Sequence, residues 1–164
     1  MSQLSYPTSM TAAFAGMLAD SGPRDVLSRI SEEATAFPYG VAVVAGTDPD
    51  TQALLPTGAA DLLGVALHSH AAEVGADDAN NVEDERVFNV MHDGRLYVLV
   101  EEAVTPSSPV FVRVAAGGGG AQLGAFRASA DTATALACTG ARFLTSAGIA
   151  GFAVLEIDKG ASIA

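Results

Sequence analysis

Apolar residues alternate with polar ones in short runs along this chain, and clusters of Gly, Pro, Ser, Thr, Asn and Asp cut the runs apart. Residues 95 to 100 (Arg-Leu-Tyr-Val-Leu-Val) and 110 to 115 (Val-Phe-Val-Arg-Val-Ala) flank Thr105-Pro-Ser-Ser-Pro109. β-Branched and aromatic residues suit a pleated surface and Pro/Ser breakers end it, so the pair predicts a hairpin, with the tetraglycine 117 to 120 after it as a hairpin tip. Residues 41 to 45 predict a buried strand closed by Gly46-Thr-Asp-Pro-Asp50. Residues 62 to 70 predict another, with Gly64 at a bulge or a close backbone approach. Residues 86 to 91 return to strand before Asp93-Gly94, a dipeptide that favours a tight hairpin turn. Residues 141 to 145 and 151 to 157 supply the last two strands. Residues 23 to 36 fit a helix with Pro23 in its first turn, but also an extended segment in which Val26, Ser28 and Ile30 alternate with Leu27, Arg29 and Ser31. The extended form is preferred.

Short strands at near-regular spacing with little helix predict an all-β protein, a small barrel or sandwich of short antiparallel strands. The expected organisation is an extended N-terminal arm over residues 1 to 24, then a single β-rich domain over 25 to 164. An acidic loop at about 71 to 85 carries Glu73, Asp77, Asp78, Glu83, Asp84 and Glu85 with little apolar mass, so it reads as a solvated excursion. The arm places Tyr6, Phe14, Met17 and Leu18 between breakers. Left in water they would form an apolar patch, so they are expected to dock on their own domain or on a neighbour.

At 164 residues the chain is long enough to bury one core without staples. A lone cysteine, Cys138, excludes an internal disulfide. No run of about 18 apolar residues and no charged leader before an apolar stretch occurs, so neither membrane span nor signal peptide is expected. The net charge is −11, and the basic residues are one lysine, Lys159, and seven arginines (24, 29, 86, 95, 113, 127 and 142) scattered singly. Binding a phosphate backbone requires clustered cations, so nucleic acid is not an expected partner. Few charges with abundant Ala and Gly suggest surface that an assembly covers.

Candidate chemistry is sparse. His68 and His70 sit at the i, i+2 spacing of one strand face, which a metal site can use with a carboxylate from the acidic loop, but no third ligand stands at a defined offset. His92-Asp93 pairs a base with a carboxylate, although a tight turn explains Asp93-Gly94 without catalysis. There is no Gly-x-Ser-x-Gly elbow, and the tetraglycine lacks the Lys-Ser/Thr of a phosphate loop. Cys138 lies in apolar company where a thiol packs as a small hydrophobe. Glu101-Glu102 cannot flank one bond as an acid pair for glycoside chemistry, because neighbours on a strand face opposite ways, and they read as solvated charge at a strand end. No catalytic residue, cofactor or metal is expected.

One ordered series of segments resembles a known family. Phe14-Ala-Gly-Met-Leu-Ala-Asp-Ser-Gly-Pro-Arg-Asp25, Ser28-Arg29, Glu32-Glu-Ala34, Pro38-Tyr-Gly40, Gly64-Val-Ala66, Gly94-Arg-Leu-Tyr-Val98, Val110-Phe-Val-Arg113 and Gly124-Ala-Phe-Arg127 resemble the structural cement, or head decoration, proteins of tailed bacteriophages. The resemblance implies a β-rich, non-enzymatic protein that binds the outer surface of the capsid in many copies, with the major capsid protein as partner, in a virion assembled from parts made in the host bacterial cytoplasm. A homo-oligomer is expected, a trimer first because shells offer threefold positions, and a dimer second. Capsid or subunit contacts are expected from Tyr6, Phe14, Met17 and Leu18, with Arg24 and Arg29 pairing acidic groups. The alternatives are a receptor- or carbohydrate-binding virion surface domain, which lacks an aromatic platform with no Trp and three Tyr, or a metal enzyme built on His68 and His70.

Overall fold

The computed structural model describes residues 13–69, 81–116 and 121–164. Their strands are β1 (Asp25–Ser31), β2 (Phe37–Pro38), β3 (Ala42–Ala45), β4 (Gln52–Leu54), β5 (Ala60–Leu67), β6 (Asn81–Val82), β7 (Val87–Leu99), β8 (Phe111–Arg113), β9 (Phe126–Arg127), β10 (Ala135–Phe143) and β11 (Phe152–Ile163). No helix occurs among the described residues, and residues 25 to 31 are extended, as preferred over the helix.

The 13-residue β7 organises the rest. Its first half pairs with β1, through Leu27↔Val90 and Ile30↔Val87, and with β5, through Val65↔Met91. Its second half pairs with β11, through Leu96↔Leu155 and Leu99↔Phe152. β1 also pairs in parallel with β4 at Ile30↔Gln52, while β4 pairs with β3 and β3 with β5. The ring β1-β4-β3-β5-β7 therefore closes on itself, which removes its free edges. From β7 the sheet continues through β11, β10, β8 and β9. The all-β expectation holds, in its barrel form with an appended sheet, and the β1–β4 pair makes the sheet mixed.

Two expected hairpins are absent. Asp93-Gly94 makes no hairpin turn: β7 continues through it, with Asp93 opposite Asp25 and Gly94 opposite Ile157. Here the strand leaves one set of partners for the other. Gly94 has φ 137°, and a Cβ there would stand 2.9 Å from Met91 Sδ and 3.1 Å from Arg24 Cβ, so the glycine serves a crowded bend. Nor do residues 95 to 100 pair with 110 to 115. β8 pairs with β10 and β9, and the linking segment hydrogen-bonds to Phe126 and Ala147 as it crosses between sheets. β8 and β9 do form a hairpin, whose connection contains the tetraglycine 117 to 120, itself outside the described residues.

Gly64 behaves as expected. It sits at φ 151° beside a register shift in the β3–β5 pair, and a Cβ on it would lie 2.1 Å from the Met91 carbonyl oxygen. Only a residue without a side chain permits β5 and β7 to approach there.

The sheet buries both faces. Val43, Ala66, Phe88 and Val90 join Phe37, Tyr39 and Val82 in one cluster, with the Phe37 and Phe88 rings edge to face. Ala42, Val65, Leu67 and Met91 point the other way, into a larger cluster with Leu96, Val98, Phe126, Phe143, Leu155 and Ile157. Each fully buried Phe, Leu or Val contributes about 1.5–3 kcal/mol through desolvation. The far end of the acidic stretch is tied in: Asn81–Val82 pairs with Phe37–Pro38, and Val82 is buried. Residues 70 to 80 lie outside the described residues.

Candidate functional site

Residues 13 to 19 form a strap over the junction of β5 and β7. The Gly16 N–H donates to the Tyr97 carbonyl at 2.8 Å, the Tyr97 N–H donates to the Met17 carbonyl at 2.8 Å, and the His68 N–H donates to the Gly16 carbonyl at 2.9 Å. Leu18 bridges to Leu96 and packs against the larger core. The Phe14 ring lies 4.4 Å from the His68 ring, which also meets Tyr39 at 5.1 Å. Phe14, Met17 and Leu18 are thus half-buried against their own domain. Arg24 is exposed past the strap, and Arg29 on β1 is half-buried, with Nη1 donating to the Ser28 carbonyl. The structure strings these residues along strap and strand rather than gathering them, and Tyr6 lies outside the described residues.

His68 and His92 serve packing and backbone. His92 Nδ1–H donates to the Leu63 carbonyl at 2.7 Å, tying β7 to β5. His70 falls outside the described residues, among which no three His, Cys, Asp or Glu are grouped to hold a metal. Cys138 is buried, and desolvation of its thiolate pushes the thiol up to about 12.

The densest polar construction joins residues that look isolated in the sequence. Arg113, on β8, is buried, and its guanidinium grips Glu101: Nε donates to Oε1 at 2.8 Å and Nη2 to Oε2 at 2.7 Å. Nη2 also donates to Asp131 Oδ2 at 2.7 Å, and Nη1 to Thr134 Oγ1 at 2.9 Å. Arg127, on β9, lies beside it, with Nη1 3.1 Å from Glu101 Oε2 and 2.9 Å from Asp131 Oδ2, and Nε 3.3 Å from Glu102 Oε1. Glu102 Oε1 further accepts from the Ala128 N–H and Ser129 Oγ. Glu101-Glu102 are therefore not solvated charge. They lie in a bend rather than a strand, so both carboxylates turn toward the arginine pair. Burial opposes ionisation of Glu102, yet Ser129, the Ala128 N–H and Arg127 together hold its carboxyl below the ordinary value.

Beside this cluster opens an apolar cavity of about 460 Å³, lined by Pro38, Tyr39, Val41, Leu99 and Ala125, with Glu101, Arg113 and Arg127 also in its wall. Glu101 pairs with both arginines, and Asp131 and Glu102 complete their ion pairs, so each charge in the cavity wall already has an opposite charge beside it. Among the described residues the exposed large apolar side chains fall in two places. Val26, Ile30 and Val87 share the β1–β7 pair, with Ile30 directly opposite Val87, while Leu99 lines the cavity and Ile149 adjoins Ala150, which also lines it. Alternation showed the first three as strand residues. Nothing local marked Ile149.

A family model described as "Structural cement protein (E217 gp24/Pam3 gp6)" matches residues 2–158. Among solved structures, a chain in "The capsid of Myoviridae Phage XM1" is similar over 93% of this chain and 94% of its own, with a TM-score of 0.69 and 20% sequence identity, a likeness of fold. No curated protein matches the chain.

Proposed function

The chain belongs to the structural cement protein family, and from that membership we propose that it binds the outer surface of a bacteriophage capsid in many copies, bridging neighbouring capsomers of the major capsid protein without catalysing a reaction. The observation that carries this reading is the family match across residues 2–158, which takes in nearly the whole β framework. The role suits the physics of the fold. Packed DNA pushes a shell outward, and a molecule spanning a seam adds interface that must break before the capsomers part; its binding stabilises the closed shell by mass action. A rigid barrel with two apolar surface regions, on β1–β7 and at the cavity mouth, provides one face for the shell and one for a sister copy. Linking copies in a homo-oligomer multiplies a modest contact through effective concentration.

The shell contacts we assign to Val26, Ile30 and Val87, to the exposed Arg24 with Arg29, and to the arm that carries Tyr6 ahead of the strap. Phe14, Met17 and Leu18 anchor that arm to its own domain. Undecorated heads mixed with the purified protein and imaged for bound density test the reading. The expected result is regular occupancy of the outer surface, weakened on deleting residues 1 to 12. Heads that stay bare at saturating protein overturn it.

A further inference from the structure

We propose that the cavity beside Leu99 is the socket of a two-fold self-association face, and that Ile149 of a second copy fills it. The inference rests on the cement reading only in supplying the sister copy. Ile149 is the most exposed large apolar residue described, 77% accessible, and it sits in the turn between β10 and β11. That turn is held in shape. The Ala150 N–H donates to the Val100 carbonyl, the Val100 N–H to the Gly151 carbonyl and the Gly151 N–H to the Gly148 carbonyl, each at 3.0 Å. Ala150 occupies φ 55°, a conformation that side-chain-bearing residues seldom adopt. A fixed turn therefore projects an isoleucine into water at the rim of a cavity lined by Ala150, Leu99, Val41 and Tyr39. The cavity volume of about 460 Å³ exceeds what one isoleucine side chain needs. Knob and socket adjoin on one face, so a two-fold axis between them seats each copy's knob in the other's socket, as an isologous interface requires.

Charge singles out the second copy as occupant. At −11, two copies repel wherever their acidic surfaces meet. Residues 143 to 155 carry no charged side chain, and the cavity's Glu101, Arg113 and Arg127 are ion-paired with one another and with Asp131 and Glu102. This face is one on which like-charged copies meet at little electrostatic cost. It favours the dimer over the trimer.

Sedimentation equilibrium of the full-length protein tests the proposal, with Ile149→Asp and Ala121→Trp as variants and head occupancy measured in parallel. Ile149 is outside the core, and unchanged melting of Ile149→Asp checks that its fold is kept. The wild type is expected to dimerise. Ile149→Asp, which removes two isoleucine contacts per dimer and adds two charges, is expected to weaken it roughly 100-fold or more, and Ala121→Trp to weaken it by narrowing the socket. A monomeric wild type, or a dimer indifferent to Ile149→Asp, overturns the proposal. If Ile149→Asp dimerises normally but loses heads, the face binds the shell instead, which overturns the self-association and leaves the cement reading standing. If dimers form as expected but even the wild type ignores heads, the cement reading alone falls.

Discussion

Arg113 shows why a cation can stand inside this β framework. Its side chain is 4% exposed, and desolving an unpaired guanidinium costs several kcal/mol, so the site holds only because Glu101 and Asp131 ligate it in a fixed fork. The hydrogen bond that Arg113 donates to Glu101 keeps the guanidinium charged against the opposing effect of burial. Removing one member strands the others. Arg113→Leu is expected to cost about 3 kcal/mol of unfolding free energy, whereas Arg113→Leu with Glu101→Leu is expected to cost less than the sum of the single changes, by at least about 1 kcal/mol. Urea unfolding of the four proteins in that cycle measures this. Strict additivity contradicts the account, because it means that the two groups stand independently.

The turn between β9 and β10 depends on the same cluster. Asp131, Thr132 and Ala133 all have positive φ, at 43°, 56° and 67°, a costly run for residues with side chains and most of all for a β-branched threonine. The Asp131 carboxylate ties this turn to Arg113 and Arg127, while Thr134 Oγ1 donates to the Asp131 carbonyl at 2.7 Å. The hydrogen bond from Arg113, then that from Thr134, holds the Asp131 carboxyl below its ordinary 3.8. A depressed carboxyl stabilises the fold above its unfolded value, and that contribution is lost as pH falls through the folded value. Melting temperature should therefore decline below about pH 4, and Asp131→Asn should melt lower at pH 7 with a shallower acid decline. Parallel acid slopes for the two proteins contradict this. Strands were legible at this scale where a short apolar run was bounded by turn residues: the runs at 41 to 45, 62 to 70 and 151 to 157 each hold a strand, β3, β5 and β11. Pairing was not, because β7–β11 and β8–β10 join residues far apart in the chain, and a local turn signal such as Asp93-Gly94 cannot report that the strand continues. β10 begins earlier than expected, since Ala135-Leu-Ala-Cys-Thr139 is too uniformly small to alternate visibly. The ion cluster left a faint trace, an arginine inside each of the runs Val-Phe-Val-Arg-Val and Ala-Phe-Arg, where a charge requires a partner that the local sequence does not name.

At the scale of the whole molecule the described residues form a closed barrel with an appended sheet, and their exposed large apolar side chains fall in two regions, on the β1–β7 pair and at the cavity mouth. Adhesion spread over such faces needs no reactive group, and the proposed shell and sister-copy contacts lie on them. Strands buried on both faces, and one long strand shared between barrel and sheet, tie the two parts together. The most direct measurement is the temperature at which DNA-filled heads rupture, followed by a dye that lights up on released DNA, with the protein absent and at increasing occupancy. The account predicts that the rupture temperature rises with occupancy and returns to its starting value when the protein is removed. Heads that are fully decorated and rupture at the same temperature as bare ones contradict it.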